Sequence, residues 1–477
     1  MLIKIIFGKI YRGFMFIYEE ILLIKIYELS IQLNSPSLSA IILSLKVKSL
    51  NKGGKYRVLC LGRSIFKSDV MALVKYGDNI QYLYFHKLLL GKIVRYFIPE
   101  LTIEHPLGKE INTSLIPGYK GSEKKQGIGN ERGITYHVDP IYKEGKIKTY
   151  NFMLKMMPIL IKYLKFDAVM SGNFVYVDQQ EFFKICEEYN IPAIILYKEG
   201  LPQYWADQEI ALASTACRFI GSRMLFTNDY SKKYELKNLN GLTEKHAVTV
   251  GVPRYDHYIN DRIPIKKKQV TVFTFALEEH VRYWHEMDPI KRREIHKISE
   301  NFVKNIIDFA INNNDYKLII KCKGPAHRYR ELIDIVLERH FKGIVIPNLI
   351  ITSSQSSERL VMSSEVIISY NCSILFESVL CNKTIICPDF NGLHFGDYFD
   401  EHQELVNYTN DYNKIEEIIF NHESFKYKNS DKRIYFLDKS MYAMDGKASI
   451  RTEKEIIDTI RERRKQARSS VRPKVFN

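Results

Sequence analysis

The chain has 477 residues, 45% hydrophobic and 26% charged, with a formal net charge of +15. That length and balance exclude a disordered chain and fit two globular domains with full cores rather than one. Its seven cysteines lack paired spacing, which gives no disulfide framework and points to a reducing, cytoplasmic compartment.

Residues 1–50 read as an amphipathic, partly basic arm. Lys4, Lys9, Arg12, Glu19, Glu20, Lys25 and Glu28 interrupt its apolar windows. The uncharged run from Leu29 to Leu45 contains Gln32, Asn34 and Pro36 and falls short of the ~20 apolar residues that span a bilayer. No small-residue cleavage site follows a clean apolar core, so no signal peptide is expected. The expected role of the arm is a helix packed on the body; the second reading is a helix lying on a membrane surface.

The next block, 51–262, has a strand–helix rhythm. Tyr56-Arg-Val-Leu-Cys-Leu-Gly62 and Ile80-Gln-Tyr-Leu-Tyr-Phe85 read as strands. Pro106 to Gly145 is rich in glycine and charge with little apolar periodicity, and is expected to be a long loop. Helical spacing resumes over Phe152–Leu164. A strand at Asp167–Met170 then ends in Ser171-Gly-Asn173, and a helix spans Asp178–Tyr189. The strand Ala193–Leu196 leads into Tyr197-Lys-Glu-Gly200. Met224–Thr227 and Ala247–Val250 add two more strands, the second running into Gly251-Val-Pro-Arg-Tyr-Asp256. Strands alternating with helices mark an α/β domain.

After a linker at Pro264 and Lys266-Lys-Lys268, the rhythm restarts over 265–425. Strands are expected at Gln269–Ala276, Tyr316–Lys321 and Gly343–Ile346, with a helix from Asp288 to Asn312 and another ending near His340. The most informative stretch is Glu365-Val-Ile-Ile-Ser-Tyr-Asn-Cys-Ser-Ile-Leu-Phe-Glu377, followed by the apolar run Thr384–Cys387. Strand, turn, helix and strand in this short space form a βαβ unit and require a parallel sheet. The turn Tyr370-Asn-Cys-Ser373 sets small polar residues where a helix begins, and a helix N-terminus favours a phosphate. Asn371, Cys372 and Ser373 are therefore candidates for donor phosphate, and Glu377, one turn on, for a ribose hydroxyl. The competing reading is a plain helix cap. Residues 426–477 are expected to form a helical basic tail, carrying Arg461, Arg463, Arg464, Lys465 and Arg468.

Four features taken together carry a resemblance: Gly251-Val-Pro-Arg-Tyr-Asp256, the basic loop after Ile319-Ile-Lys321, Ser369-Tyr-Asn-Cys-Ser373 with Phe376-Glu377, and Asp445-Gly-Lys-Ala-Ser449. The set resembles the bacterial surface-carbohydrate biosynthesis proteins and, more distantly, the CDP-glycerol glycerophosphotransferases of teichoic-acid synthesis. It covers about 165–450 of this sequence. The resemblance implies an α/β fold of the GT-B type, two Rossmann-like domains facing a cleft, and a nucleotide-activated donor. The chain departs from the glycerophosphotransferase pattern. A Lys-x-His-Pro arrangement becomes Lys321-Cys-Lys-Gly-Pro-Ala-His327, paired serines become Cys372-Ser373, and Glu377 stands for an aspartate. Those differences favour a sugar nucleotide over a polyol phosphate.

The site residues follow from these placements. Lys321, Lys323, His327 and Arg328 lie just past a parallel strand, where α/β proteins bind ligands, and a cation there would meet leaving-group charge. Glu199 is the candidate general base, beside Lys198, because an inverting transfer needs a group to take the acceptor proton. Asp178 and Glu181 are its rivals, Asp178 having a second reading as a helix cap. Arg254 is a candidate for substrate binding, with the favoured reading that it pairs with Asp256 and locks a hinge. Glu278, Glu279, His280, His394 and Asp397 are further candidates to line the site. No metal-ligand spacing and no Asp-x-Asp motif appear, and no nucleic-acid module is recognisable.

The expected activity is transfer of a sugar or polyol phosphate to a cell-surface glycan or lipid-linked acceptor. It would need no cofactor beyond the nucleotide sugar and no metal, and the basic ends would attach the protein to the inner membrane face. The alternatives are a UDP-sugar 2-epimerase-like enzyme and an inactive scaffold of a polysaccharide assembly complex.

Overall fold

A computed structural model describes residues 21–62, 64–99, 101, 110–111, 125–126, 134–198, 214–277, 281, 284, 287–323, 329–390, 399 and 402–470. The chain forms two α/β units. Described residues up to 198, 214–254 and 447–470 make the first, and 255–446 the second.

The sheet of the first unit runs Lys48–Ser49, Ile80–His86, Tyr56–Gly62, Ala168–Ser171, Ala193–Leu196, Arg223–Phe226, Ala247–Thr249. All neighbours are parallel except the short edge strand Lys48–Ser49, which pairs antiparallel with Ile80–His86. Parallel strands covered on both faces read as unbroken apolar runs, and these do. Alternation along Tyr56–Gly62 sends Leu59 and Leu61 to one core with Leu83, Phe85, Val169 and Ile195. Val58 and Cys60 go to the other, with Ile80, Tyr82, Met170 and Ile194. That second face is closed by the helix Ala448–Ser470, whose Ile456, Ile457 and Ile460 lie in the same core.

Arg461, Arg463 and Arg464 of this helix are engaged within the unit rather than trailing as a tail. Arg463 pairs with Glu187, Arg464 with Asp167, and Arg461 Nε donates to the Tyr56 hydroxyl at 3.2 Å. The described part of the arm forms two helices, Leu23–Gln32 and Pro36–Lys46, packed on the body through Tyr27, Ile31, Ile42 and Leu43, while its first twenty residues lie outside the described residues. Helical structure also occupies Ile134–Val138 and starts again at Lys143, so the long loop expected over 106–145 is shorter than the glycine content implied.

The sheet of the second unit is wholly parallel: Leu349–Thr352, Lys317–Lys321, Gln269–Phe273, Val366–Ile368, Thr384–Cys387, Asn407–Tyr408. Numbered along the chain from Gln269, the order is 3-2-1-4-5-6, the doubly wound dinucleotide-binding order. The helix Pro289–Asn312 covers one face with Phe302, Val303, Ile306 and Ile307. The helix Ser357–Ser363 covers the other with Leu360 and Val361.

The third strand is not Gly343–Ile346, as the sequence pattern predicts, but Leu349–Thr352. Asn348 decides the position: its side-chain amide donates to the carbonyls of Ala310 and Tyr316, both at 2.8 Å, and starts the strand in register with Leu318. Val345 is left 87% exposed. Among the described residues no helix is long and apolar enough to cross a membrane.

Candidate functional site

In a 3-2-1-4-5-6 sheet the chain leaves strands 1 and 4 in opposite directions, which opens a crevice beyond their carboxyl ends. Here those ends are Phe273 and Ile368, and the turn Tyr370–Ser373 follows directly. The Ser369 hydroxyl donates to the Phe273 carbonyl at 3.2 Å and holds the two strand ends together. Asn371 takes a left-handed conformation, φ +37°, which asparagine tolerates better than most residues. Cys372 is extended, φ −139°, and the helix Ser373–Leu380 starts from it without a side-chain cap. The Ser369 hydroxyl and the Cys372 sulfur lie 3.1 Å apart.

The basic loop leaves the neighbouring strand. Thr274 N–H donates to the Lys321 carbonyl at 3.1 Å, which ties the exits of strands 1 and 2. Lys323 is exposed, its ammonium 5.0 Å from the ring centre of Tyr329. Burial pushes the Cys372 thiol up from its ordinary range, while the Ser369 hydrogen bond and the Lys323 charge act in the opposite direction. Loop and turn are thus electrostatic neighbours at one sheet edge.

Two candidates have other work. Lys321 Nζ donates to the carbonyls of Cys322 at 2.9 Å and Ser353 at 2.8 Å, and burial lowers its pKa. It links two strand ends and is committed to backbone rather than to a ligand. Glu377 is buried, and its Oε2 accepts from the Tyr258 hydroxyl, whose own pKa is raised well above normal by burial and then by this carboxylate. It ties the helix Asp256–Asn260 to the helix Ser373–Leu380. Tyr258 lies 119 residues away from Glu377, and no local signal announces it.

In the first unit the parallel strands run 2-1-3-4-5-6, so the switch point lies between Tyr56–Gly62 and Ala168–Ser171. Lys198 leaves the next strand, its N–H on the Gly172 carbonyl at 3.1 Å and its ammonium 5.8 Å from the Tyr176 ring centre. Lys87, immediately past Ile80–His86, packs its ammonium 3.5 Å from the same ring centre. It also pairs with Asp178 at 3.2 Å, the two side chains being 2% and 6% exposed. Asp178 is therefore a buried ion-pair partner within the turn Val177–Gln179, not a helix cap. Gly91 permits this arrangement, because a Cβ there would stand 2.5 Å from Asp178 Oδ1.

Glu181 accepts from the Tyr136 hydroxyl at 3.0 Å, and burial raises its pKa. Beside it His137 Nε2 meets the Val175 carbonyl at 3.1 Å, and burial lowers its pKa to about 4. Arg254 meets a partner the sequence did not suggest: its Nη1 reaches both carboxylate oxygens of Asp69, at 3.1 and 3.2 Å. Sequence reasoning missed Lys87, Tyr176 and Tyr136. Of these, only Lys87 has a legible signal, its position at a strand's carboxyl end.

Glu199, His327, Arg328, Glu278, Glu279, His280, His394 and Asp397 lie outside the described residues. Among the described residues no three His, Cys, Asp or Glu side chains converge as a metal site.

No family model matches the chain, and no curated protein matches it. Several solved structures resemble its chain path. One is the UDP-GlcNAc 2-epimerase of Neisseria meningitidis bound to UDP-GlcNAc, at 13% identity and TM-score 0.44, over 85% of this chain and 100% of that one. A second is the UDP-GlcNAc 2-epimerase of Methanocaldococcus jannaschii, at 13% identity and TM-score 0.44, over 84% and 99%. A third is a variant of the wall teichoic acid polymerase TagF, at 14% identity and TM-score 0.48, over 92% and 97%. The roles of individual residues rest on this chain's own contacts.

Proposed function

We propose that this chain is a GT-B-type glycosyltransferase that moves a sugar, or a polyol phosphate, from a nucleotide-activated donor to a cell-surface glycan or lipid-linked acceptor. One observation carries the reading. The uncapped start of helix Ser373–Leu380 stands at the switch point of a doubly wound sheet, with the exposed Lys323 beside it. The backbone N–H groups of the helix's first turn and the helix dipole suit the donor's diphosphate. The same groups and Lys323 would meet the negative charge that grows on the leaving nucleotide, and fixed positive charge aimed there lowers the barrier. This scheme needs no metal.

The acceptor is assigned to the first unit, near Lys198, where a carboxylate must take its proton. Glu199 remains the proposed base, and Glu181, with a pKa raised by burial, is the alternative within the described residues. His327 and Arg328 are proposed to complete the basic loop on the donor side. The reading carries a cytoplasmic location, with the acceptor presented at the inner membrane face.

Isothermal titration of the full chain with UDP-, GDP- and CDP-sugars tests it. The expected result is one nucleotide that binds, with affinity reduced about tenfold in Lys323→Ala, the loss of roughly one charge-assisted contact. A folded protein that binds none of them would sink the proposal. Isomerisation of UDP-N-acetylhexosamine without an acceptor would replace it with the epimerase.

A further inference from the structure

We propose that the outer face of the helical hairpin Leu23–Gln32 and Pro36–Lys46 docks on an anionic lipid surface. The inner face of the hairpin is fully occupied. Tyr27, Ile31, Ala40, Ile42 and Leu43 are buried, the Tyr27 hydroxyl donates to the Leu89 carbonyl at 2.9 Å, and Ser30 and Ser39 join the two helices at 2.7 Å. A surface helix with one buried face normally turns polar side chains to water. This one does not. Leu22, Leu29 and Leu33 form an exposed stripe on the first helix and its turn, and Leu38, Ile41 and Leu45 form another on the second, with Leu33 66% and Leu45 68% exposed. Single exposed aliphatic residues are ordinary, but two stripes side by side mark an interaction surface.

Charge selects the occupant. The hairpin and the strand after it carry Lys25, Lys46 and Lys48 against a single acid, Glu28, which is neutralised by Lys92. An apolar face with a cationic rim and no spanning length is the signature of a helix that lies in the headgroup region of an anionic bilayer. Residues 1–20, which precede the hairpin in sequence, place Lys4, Lys9 and Arg12 among Leu2, Ile3, Ile5, Ile6 and Phe7, with Glu19 and Glu20 as the only acids. The C-terminal arginines are weaker candidates, because Arg461, Arg463 and Arg464 are held against the first unit by Tyr56, Glu187 and Asp167. The inference concerns attachment only and is independent of which group the chain transfers.

Vesicle flotation of the full chain, without nucleotide, tests it. Wild type should float with phosphatidylcholine vesicles containing phosphatidylglycerol about tenfold or more better than with phosphatidylcholine alone. The variant Leu29→Ser/Leu33→Ser/Leu45→Ser removes only exposed side chains, so its circular dichroism and nucleotide binding should match wild type while flotation falls at least about tenfold. Lys25→Gln/Lys48→Gln should lower the anionic preference about fivefold per lysine, and Lys465→Gln/Arg468→Gln should leave it within about twofold. Three results would overturn the proposal: wild type recovered on neither vesicle, the leucine variant floating like wild type, or a wild-type dimer that becomes monomeric in the leucine variant. The last would identify a second copy of the chain as the occupant. Failure of nucleotide binding with intact flotation would instead fault the transferase reading alone.

Discussion

Replacing Asp69 by Asn should destabilise the first unit by roughly 2 kcal/mol, because it leaves a nearly buried guanidinium facing a neutral amide. Asp69 and Arg254 are 3% and 14% exposed, and the arginine meets both carboxylate oxygens while its own N–H reaches Oδ1 at 3.3 Å. Breaking a fully buried pair costs about 3–5 kcal/mol; the residual exposure of Arg254 and the acceptor that Asn retains reduce that figure. Asp69→Ala, which retains neither acceptor nor volume, should cost about 1 kcal/mol more. In a domain of this size each kcal/mol moves the transition by about 2–4 °C, so Asp69→Asn should lower Tm by about 4–8 °C.

Scanning calorimetry is the assay, read on the transition that moves, since two units need not melt together. The double variant Asp69→Leu/Arg254→Met should regain most of the loss, because two apolar groups replace the pair without leaving a buried charge. An Asp69→Asn protein melting within about 1 °C of wild type would refute the reasoning. A raised KM for acceptor in Arg254→Met with an unchanged Tm would return Arg254 to the substrate.

His137 should make the first unit acid-sensitive. Burial holds its folded pKa at about 4, against 6.5 for the ordinary group. The unfolded chain therefore takes up the proton first, and stability present above pH 6.5 is lost as pH falls toward about 4. Urea titrations should show a loss of about 2 kcal/mol between pH 7 and pH 5 that His137→Gln abolishes, since glutamine keeps a donor for Val175 without titrating. The two lysines of the basic loop should separate in the opposite senses. Lys321→Met should lower the melting temperature of the second unit, through loss of two buried hydrogen bonds worth about 1 kcal/mol or more each, and leave nucleotide affinity within about twofold. Lys323→Ala should weaken nucleotide binding with Tm unchanged.

Most strands of both sheets were legible because their apolar runs are continuous, unlike the two-residue edge strands Lys48–Ser49 and Asn407–Tyr408, and the turn before Ser373 because Ser369 to Ser373 places small polar residues between an apolar run and a helical spacing. The failures have physical causes. Gly343-Ile-Val-Ile346 is as good a strand by propensity as Leu349-Ile-Ile-Thr352, and the choice falls to Asn348, whose amide binds carbonyls more than thirty residues away. Asp178 looks like a helix cap in a local window, yet the charge that holds it belongs to Lys87, 91 residues earlier in the chain. The C-terminal arginines look like a solvated or membrane-seeking cluster until the isoleucines of the same helix are seen buried in the first unit's core.

What the sequence determined by itself is what is governed by neighbours along the chain: the period of most elements, the two α/β rhythms and the start of the helix at Ser373. The tertiary structure decided which charge meets which. Arg254 finds Asp69 across 185 residues, and Glu377 finds Tyr258 across 119. Glu453, on the C-terminal helix, accepts from the N–H of Asn79 across 374. Periodicity is read within a turn or two, whereas a buried charge is stabilised by whatever partner the strand order brings beside it. That order is fixed only when the whole sheet has formed.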